Sequence, residues 1–331
     1  MDTWNADSQL VRSRSTEGWN LAIGEPHLLR EVMSPYYPRH YPADLSYPDT
    51  APDPDLMAEL RKRHPTGHIV VTVGAKQALY AAIWAIKQIR IESDRLYHRA
   101  PHWPSYPTIA ERSRLLHVTS DAGLSDAQWE RTIKVSTSPN NPDGSCEFLG
   151  CDIWDAAYAD HDLYGWNGVV PRHKISVWSA GKLFGSPGAR VGWLVTEEEH
   201  LARLATQYVE QHTSGVATTS QYHVAATMRN LEGVEHRVKR DFRVQLYSNR
   251  ALFHGYLEDH IIDHEADFSC GMFAWFEPKN PEQFKAAIDK LKILMVDGSA
   301  CGVPGHYRAS LGLTNSKFHS AVLALVKELE K

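Results

Sequence analysis

Cysteine is scarce in this chain. Only Cys146, Cys151, Cys270 and Cys301 occur among 331 residues, with no CxxC pair and no metal-ligand spacing. That excludes a disulfide scaffold and a zinc module, and makes reduced thiols and a cytoplasmic location the expectation. Long apolar runs are missing too. No stretch approaches the ~18 uninterrupted apolar residues of a membrane span, and Met1 to Ser8 lacks a basic segment followed by an apolar core. Positive charge is in deficit, 35 Lys and Arg against 40 Asp and Glu for a formal net charge of −5, which argues against nucleic acid or an anionic membrane as partner. There is no GxGxxG, so a nucleotide-binding Rossmann reading lacks its fingerprint. A P-loop at Gly181-Lys182 fails as well, because its first glycine would fall at Ser176 and Leu183 follows the lysine. Repeats and low-complexity tracts are absent, and no linker suggests independent modules.

What is present is ordinary in bulk, 43% hydrophobic and 23% charged, in a chain long enough for one large domain and a smaller one. One stretch stands out, Ser176-Val-Trp-Ser-Ala-Gly-Lys-Leu-Phe-Gly-Ser-Pro-Gly-Ala-Arg190-Val-Gly-Trp193. A β-prone run delivers Ser179, then Lys182, then a glycine-broken turn and Arg190. An amine on a poorly covered turn can lose its charge and act as a nucleophile, as Schiff-base lysines do. A hydroxyl and a guanidinium beside it suit a phosphate. Together they suggest pyridoxal phosphate, whose aldehyde needs the lysine and whose phosphate needs the other two.

Further signals lie along the chain. Leu21-Ala-Ile-Gly24-Glu-Pro26 is a glycine turn, and six prolines between Ser34 and Asp55 exclude a regular helix or central strand there. His68 to Val73 reads as a buried parallel strand and Ala75 to Ile89 as a helix, so Gly74-Ala75-Lys76 offers free N–H groups at a helix N-terminus. Trp103 lies in a Pro-rich aromatic cluster with Tyr106, and Val135 to Ser138 reads as a strand ending in Pro-Asn-Asn141-Pro-Asp-Gly. Asp155-Ala-Ala-Tyr158 follows, and Asp160, His161 and Asp162 lack partners at metal spacing. Gln221 to His260 reads as one charged helical run. The last residues alternate strands at 271–276, 293–296 and 306–311 with helices at 281–291 and 315–331, the last capped by Thr314 or Asn315.

Ser179-x-x-Lys182 followed by Arg190 resembles the lysine motif of the fold-type I, aspartate aminotransferase-like superfamily of pyridoxal phosphate enzymes. Ser136 to Gly144 and Asp155 to Tyr158 resemble most the branch of alliinase and the plant tryptophan aminotransferases. The similarity runs from about Ile23 to Leu313. It implies an α/β fold, a large domain (45–225) with a mostly parallel seven-stranded sheet between helices, and a small domain from 1–44 and 226–331 that ends in an α+β lobe. Lys182, Asp155 and Tyr158 would be catalytic, Lys182 as the Schiff-base amine and Asp155 facing the pyridine nitrogen. Gly74, Ala75, Lys76, Ser179 and Arg190 would hold the phosphate, Trp103 would stack on the ring, and Asn141 with Tyr158 would bond its phenolic oxygen. Gly24 and Arg308 would bind the substrate carboxylate, although Gly24 reads equally well as a plain turn before Pro26.

Tyr47 matches the tyrosine that reaches the partner's phosphate in a homodimer, with Tyr36, Tyr37 and Tyr41 nearby to compete for that match. The expected reaction is amino transfer between a small amino acid and a keto acid. Alliinase-like β-elimination or decarboxylation, on a free or scaffold-attached amino acid, is the alternative. Tyr36, Tyr37 and Tyr106 would form an aromatic entrance or a dimer contact.

Overall fold

The computed structural model describes residues 18–41, 51–146, 150–263 and 270–331. Tyr47 lies outside them. Helix α1 (His27–Met33) buries Leu28, Leu29 and Met33. Among the described residues 34–41 of the proline-spaced stretch after it there is a single 3-10 turn, Ser34–Tyr36, in keeping with ring-locked φ angles and missing N–H groups. Helix α2 (Pro54–Arg63) starts where the Asp53 carboxylate accepts the Leu56 N–H at 3.0 Å, with proline in the first turn.

An alternating series follows: β1 (His68–Thr72), α3 (Gly74–Ile89), β2 (Arg95–Tyr97), α4 (Tyr106–Arg112), β3 (Leu116–Val118), α5 (Asp126–Glu130), β4 (Thr132–Thr137), β5 (Ile153–Asp155), α6 (His161–Tyr164), β6 (Ile175–Ser179), α7 (Ala180–Leu183) and β7 (Gly192–Thr196). The strands make one sheet in the order β1-β7-β6-β5-β4-β2-β3. Every neighbouring pair from β6 to β3 is parallel, whereas β7 runs against both β1 and β6. The segment expected as a buried parallel strand, His68–Val73, is therefore an edge strand with one antiparallel neighbour. It is buried from Ile69 onward because α8 (Glu199–Thr213) and α3 pack against it. Apolar side chains of α3 (Leu79, Ile83, Ile86) and of the central strands (Ile133, Val135, Ile153, Ile175, Val177, Leu194) form one core between helix and sheet, the pattern of a strand buried on both faces.

The charged run expected as one helix is two, α9 (Thr218–Asn230) and α10 (Glu235–Leu257). Gly233 at φ +76° turns the chain between them. The end of the chain comprises β8 (Ile261–Asp263), β9 (Phe273–Pro278), α11 (Pro281–Lys290), β10 (Val296–Asp297), β11 (Tyr307–Ser310) and α12 (Asn315–Leu329). Its strands form an antiparallel sheet in the order β10-β11-β9-β8. Of the strand expected at 293–296 only Val296 pairs, with Arg308, while Leu294 bridges to Asn20 and ties the N-terminal segment to this lobe. Phe253, Phe276, Phe284 and Phe318 pack its interior, each worth roughly 1.5–3 kcal/mol when buried. Thr314 stands at the N-cap of α12 without a side-chain capping bond.

Candidate active site

Three adjacent strands of the large sheet end at one edge, and each ends on a polar residue. Thr137 closes β4, Asp155 closes β5 and Ser179 closes β6, with Thr137 and Asp155 in register as cross-strand partners. Carboxyl ends of parallel strands are where open α/β sheets take ligands. A cavity opens there, lined by Gly24, Ala75, Leu79, Trp103, Thr137, Asn141, Asp155, Ala157, Tyr158, Ser179, Lys182 and Arg308. Nine of the positions proposed from sequence are among these. Gly74, Lys76 and Arg190 border the cavity rather than line it.

Asp155 is buried, and that burial raises its carboxyl above the usual range. The Tyr106 hydroxyl at 2.9 Å, the Ala157 N–H at 3.2 Å and the Lys182 amine pull the other way. Tyr106 was expected at an aromatic entrance. It is fully buried at the start of α4, and its phenol is bonded to Asp155 and to Thr137, the latter at 2.8 Å. Its position three residues after Trp103, one turn further along at a helix start, was the available signal.

Lys182 sits in α7, a single turn whose Lys182 carbonyl accepts the Tyr164 hydroxyl at 2.6 Å. It is not on an uncovered turn. Its Nζ donates to the Gly24 carbonyl and lies 5.9 Å from the centre of the Tyr158 ring. Burial lowers the amine to about 8, helped by Arg308 and Arg190 and opposed by Glu25 and Asp155. An amine so shifted has a far larger neutral fraction near physiological pH than an ordinary lysine, and the neutral form is the one that acts as a nucleophile or a base.

Arg308 is on β11, an interior strand, and its side chain is buried. Its guanidinium donates to Asn141 Oδ1 and to the Ala22 carbonyl, both at 2.8 Å, and stands 4.2 Å from the Phe273 ring centre. Burial pushes its pKa below the ordinary value, and its Nε is buried without a partner. Asn141 thus faces both Arg308 and the cavity.

The opposite flank is more open. Gly74 at φ +76° begins α3, and a β-carbon there would stand 2.7 Å from Arg190 Nη2, so only glycine lets the guanidinium lie over this turn. Arg190 is exposed and in the left-handed conformation at φ 54°. Among the described residues its guanidinium donates to the Pro187 carbonyl at 3.3 Å and the Val73 carbonyl at 3.5 Å. Ser179 holds the N-cap position of α7 but makes no capping bond, which leaves its hydroxyl for the cavity. Lys76 reaches Ser105 Oγ at 3.4 Å and lies 5.2 Å from the Trp103 ring centre. Asp160 and Asp162 are taken up elsewhere, Asp160 by Lys239 and the Leu163 N–H, Asp162 by His236 and His161.

This constellation fits pyridoxal phosphate. The Ser179 hydroxyl, with no capping role, and Arg190, on weak carbonyl bonds, suit a phosphate. No described residue bonds the Tyr158 hydroxyl, which is raised above its ordinary pKa by burial. Leu79, Trp103 and Ala157 add apolar surface for a flat ring.

A sequence model of the allinase family matches residues 63–270. Tryptophan aminotransferase-related protein 2 of Oryza sativa subsp. japonica is 29% identical over 209 residues, 56% of this chain and 41% of that protein. A probable aspartate/prephenate aminotransferase of Aquifex aeolicus is 22% identical across 99% of this chain and 95% of its own length. The chain spans less than half the length of the plant relatives it matches. Among solved structures, Thermus thermophilus aspartate aminotransferase superposes with a TM-score of 0.74 at 19% identity, covering 99% of this chain and 96% of that one. The fold is that of aspartate aminotransferase.

Proposed function

Because the chain belongs to the allinase family, within the fold-type I pyridoxal phosphate-dependent superfamily, we propose that it is an aminotransferase that moves an amino group from an amino acid to a keto acid, using Lys182 as its Schiff-base amine. The observation that carries this reading is that Lys182, its charge weakened by burial, lines one cavity with the carboxyl of Asp155.

When bound, pyridoxal phosphate supplies an aldehyde that condenses with amines and a pyridine ring that accepts electrons from a bond breaking at Cα. Ser179, Arg190 and the N–H groups of Gly74 to Lys76 would hold its phosphate, Trp103 its ring face, and Asn141 with Tyr158 its phenolic oxygen. Asp155 holds a proton at the ring nitrogen. Arg308 would bind the substrate carboxylate through its paired donors and so orient the substrate in the cavity. Lys182 Nζ would be the base that moves the Cα proton. A homodimer in which Tyr47 reaches the partner's phosphate belongs to the same proposal, as does the division into 45–225 against 1–44 and 226–331.

The allinase match itself favours a second reading, β-elimination in the same cavity. One experiment separates them. Purified chain given pyridoxal phosphate should gain visible absorbance that Lys182→Ala lacks, and a panel of amino donors with a keto acid should yield a new amino acid. Release of pyruvate and ammonia instead would establish elimination. A protein that stays colourless would end both readings. Lys182→Ala should cost roughly 10²–10⁴-fold in turnover through the lost proton transfer alone.

A further inference from the structure

Asp155 is one end of a hydrogen-bonded row that leaves the cavity and runs into the sheet. Its Oδ2 is 2.9 Å from the Tyr106 hydroxyl, which is 2.8 Å from Thr137 Oγ1, which is 3.1 Å from His98 Nε2. His98 Nδ1 lies 2.8 Å from the Arg99 carbonyl oxygen. The His98 and Tyr106 rings stack with centres 4.3 Å apart. All four side chains are buried, and strand register builds the row. Thr137 pairs with Asp155, and His98 follows directly on β2, the neighbour of β4.

Each of these contacts needs one proton between its two heavy atoms. A carbonyl has none to give, so His98 Nδ1 carries one, and the neutral ring then presents a lone pair at Nε2. Thr137 and Tyr106 bring one each. With Asp155 ionised and His98 neutral, the row has one proton fewer than it has contacts, and two lone pairs must face each other inside the protein. One added proton removes the conflict and has two places to sit. On Asp155 it turns every O–H away from the cavity, and on His98 it turns every O–H toward it. The His98 end is the costlier, because an imidazolium there would be buried beside His102, His117 and Arg99. Burial and these neighbours lower His98 to about 3, although its bond to the Arg99 carbonyl opposes them, whereas burial raises Asp155. The titratable groups facing Asp155 are Tyr106, Lys182 and Tyr158, and burial lowers Lys182 and raises Tyr158.

We infer that His98, Thr137 and Tyr106 are positioning residues that keep Asp155 protonated in the cofactor-free chain, as a neutral acid whose proton is bonded to Tyr106 until a nitrogen base entering the cavity takes it. The location of the proton is a property of the chain alone. Only the identity of the base, a pyridine nitrogen, rests on the function proposed above. When the base arrives, the Asp155 O–H bond breaks and an N–H bond forms. The carboxylate left behind keeps the Ala157 N–H, and the Tyr106 hydroxyl turns round to meet it, which returns the unmatched pair of lone pairs to a contact deeper in the row, away from the cavity.

Infrared difference spectroscopy of the cofactor-free chain tests this, with Asp155→Asn as the subtracted reference and pH as the variable. The expected result is a protonated-carboxyl carbonyl band that titrates clearly above the ordinary aspartate value of about 4. His98→Gln puts an amide N–H near the place of Nε2. That group donates to Thr137, so the row is satisfied around a carboxylate, and the midpoint should fall by at least one unit, a tenfold loss of proton affinity. Thr137→Val opens the row at its middle and should lower the midpoint independently, with circular dichroism checking the fold of both variants. A parent midpoint near that of ordinary aspartate, or an unmoved midpoint in both folded variants, overturns the inference. Added pyridoxal phosphate should abolish the band. A band that persists after saturation, with the midpoints as expected, overturns the identity of the base and leaves the row standing.

Discussion

The two flanks of the cavity are built in opposite ways. On the Asp155 flank the groups are buried, rigidly seated at strand ends and bonded to one another at 2.8–3.1 Å. On the Arg190 flank the guanidinium is exposed, and it holds only backbone carbonyls at 3.3 and 3.5 Å. The first flank is assembled before any ligand arrives. The second carries donors whose present partners are weaker than a phosphate would be. Under the proposed function, the Asp155 flank would govern the rate of chemistry and the Arg190 flank the retention of the cofactor.

The largest effect that could break this division is expected from Asp155→Asn. It should lower kcat on the order of 10²–10³-fold, the usual loss when one preorganised electrostatic group is removed, while the dissociation constant for pyridoxal phosphate changes less. Steady-state turnover beside an equilibrium titration of the visible band measures both. Arg190→Ala should show the converse pattern. Losing hydrogen bonds to a charged partner costs about 1.5–3 kcal/mol, which raises the dissociation constant about tenfold to a hundredfold, with kcat little changed at saturation. Equal profiles in the two variants would remove the distinction.

The smallest effect is in pH. Lys182 is protonated and unreactive below its shifted value of about 8 and neutral above it. The rate at which the cofactor-free chain gains visible absorbance should therefore rise with pH through about 8 and level off above it. Arg190→Ala, by removing a cation that lowers Lys182, should move this midpoint upward. Asp155→Asn, by removing a group whose charge raises Lys182, should move it downward. Stopped-flow absorbance across a pH series reads all three chains.

The cavity's principal residues were legible because their chemistry is tied to local motifs. Lys182 and Ser179 share a strand-to-helix junction, and Asp155 ends a short apolar strand. Arg308 was legible only through family resemblance, since nothing local distinguishes it from any other strand arginine. Tyr106, Thr137 and His98 were not identified as a unit. Their association depends on which strands are neighbours, and the order β5-β4-β2 is not a local property of the chain. The same reason explains the misjudged setting of His68 to Thr72. Its apolar run reports burial on both faces, but not that the strand beside it comes from residues 192–196 and runs the other way.

That reversed strand has a structural consequence of its own. Since β7 opposes both neighbours, its beginning lies beside the ends of β1 and β6, with Gly192 level with both Thr72 and Ser179. Arg190 therefore enters the edge where the Gly74 turn and Ser179 leave it. The proposed anion seat is thus set by strand polarity, and loops at the far edge of the sheet can shorten or lengthen without dismantling it.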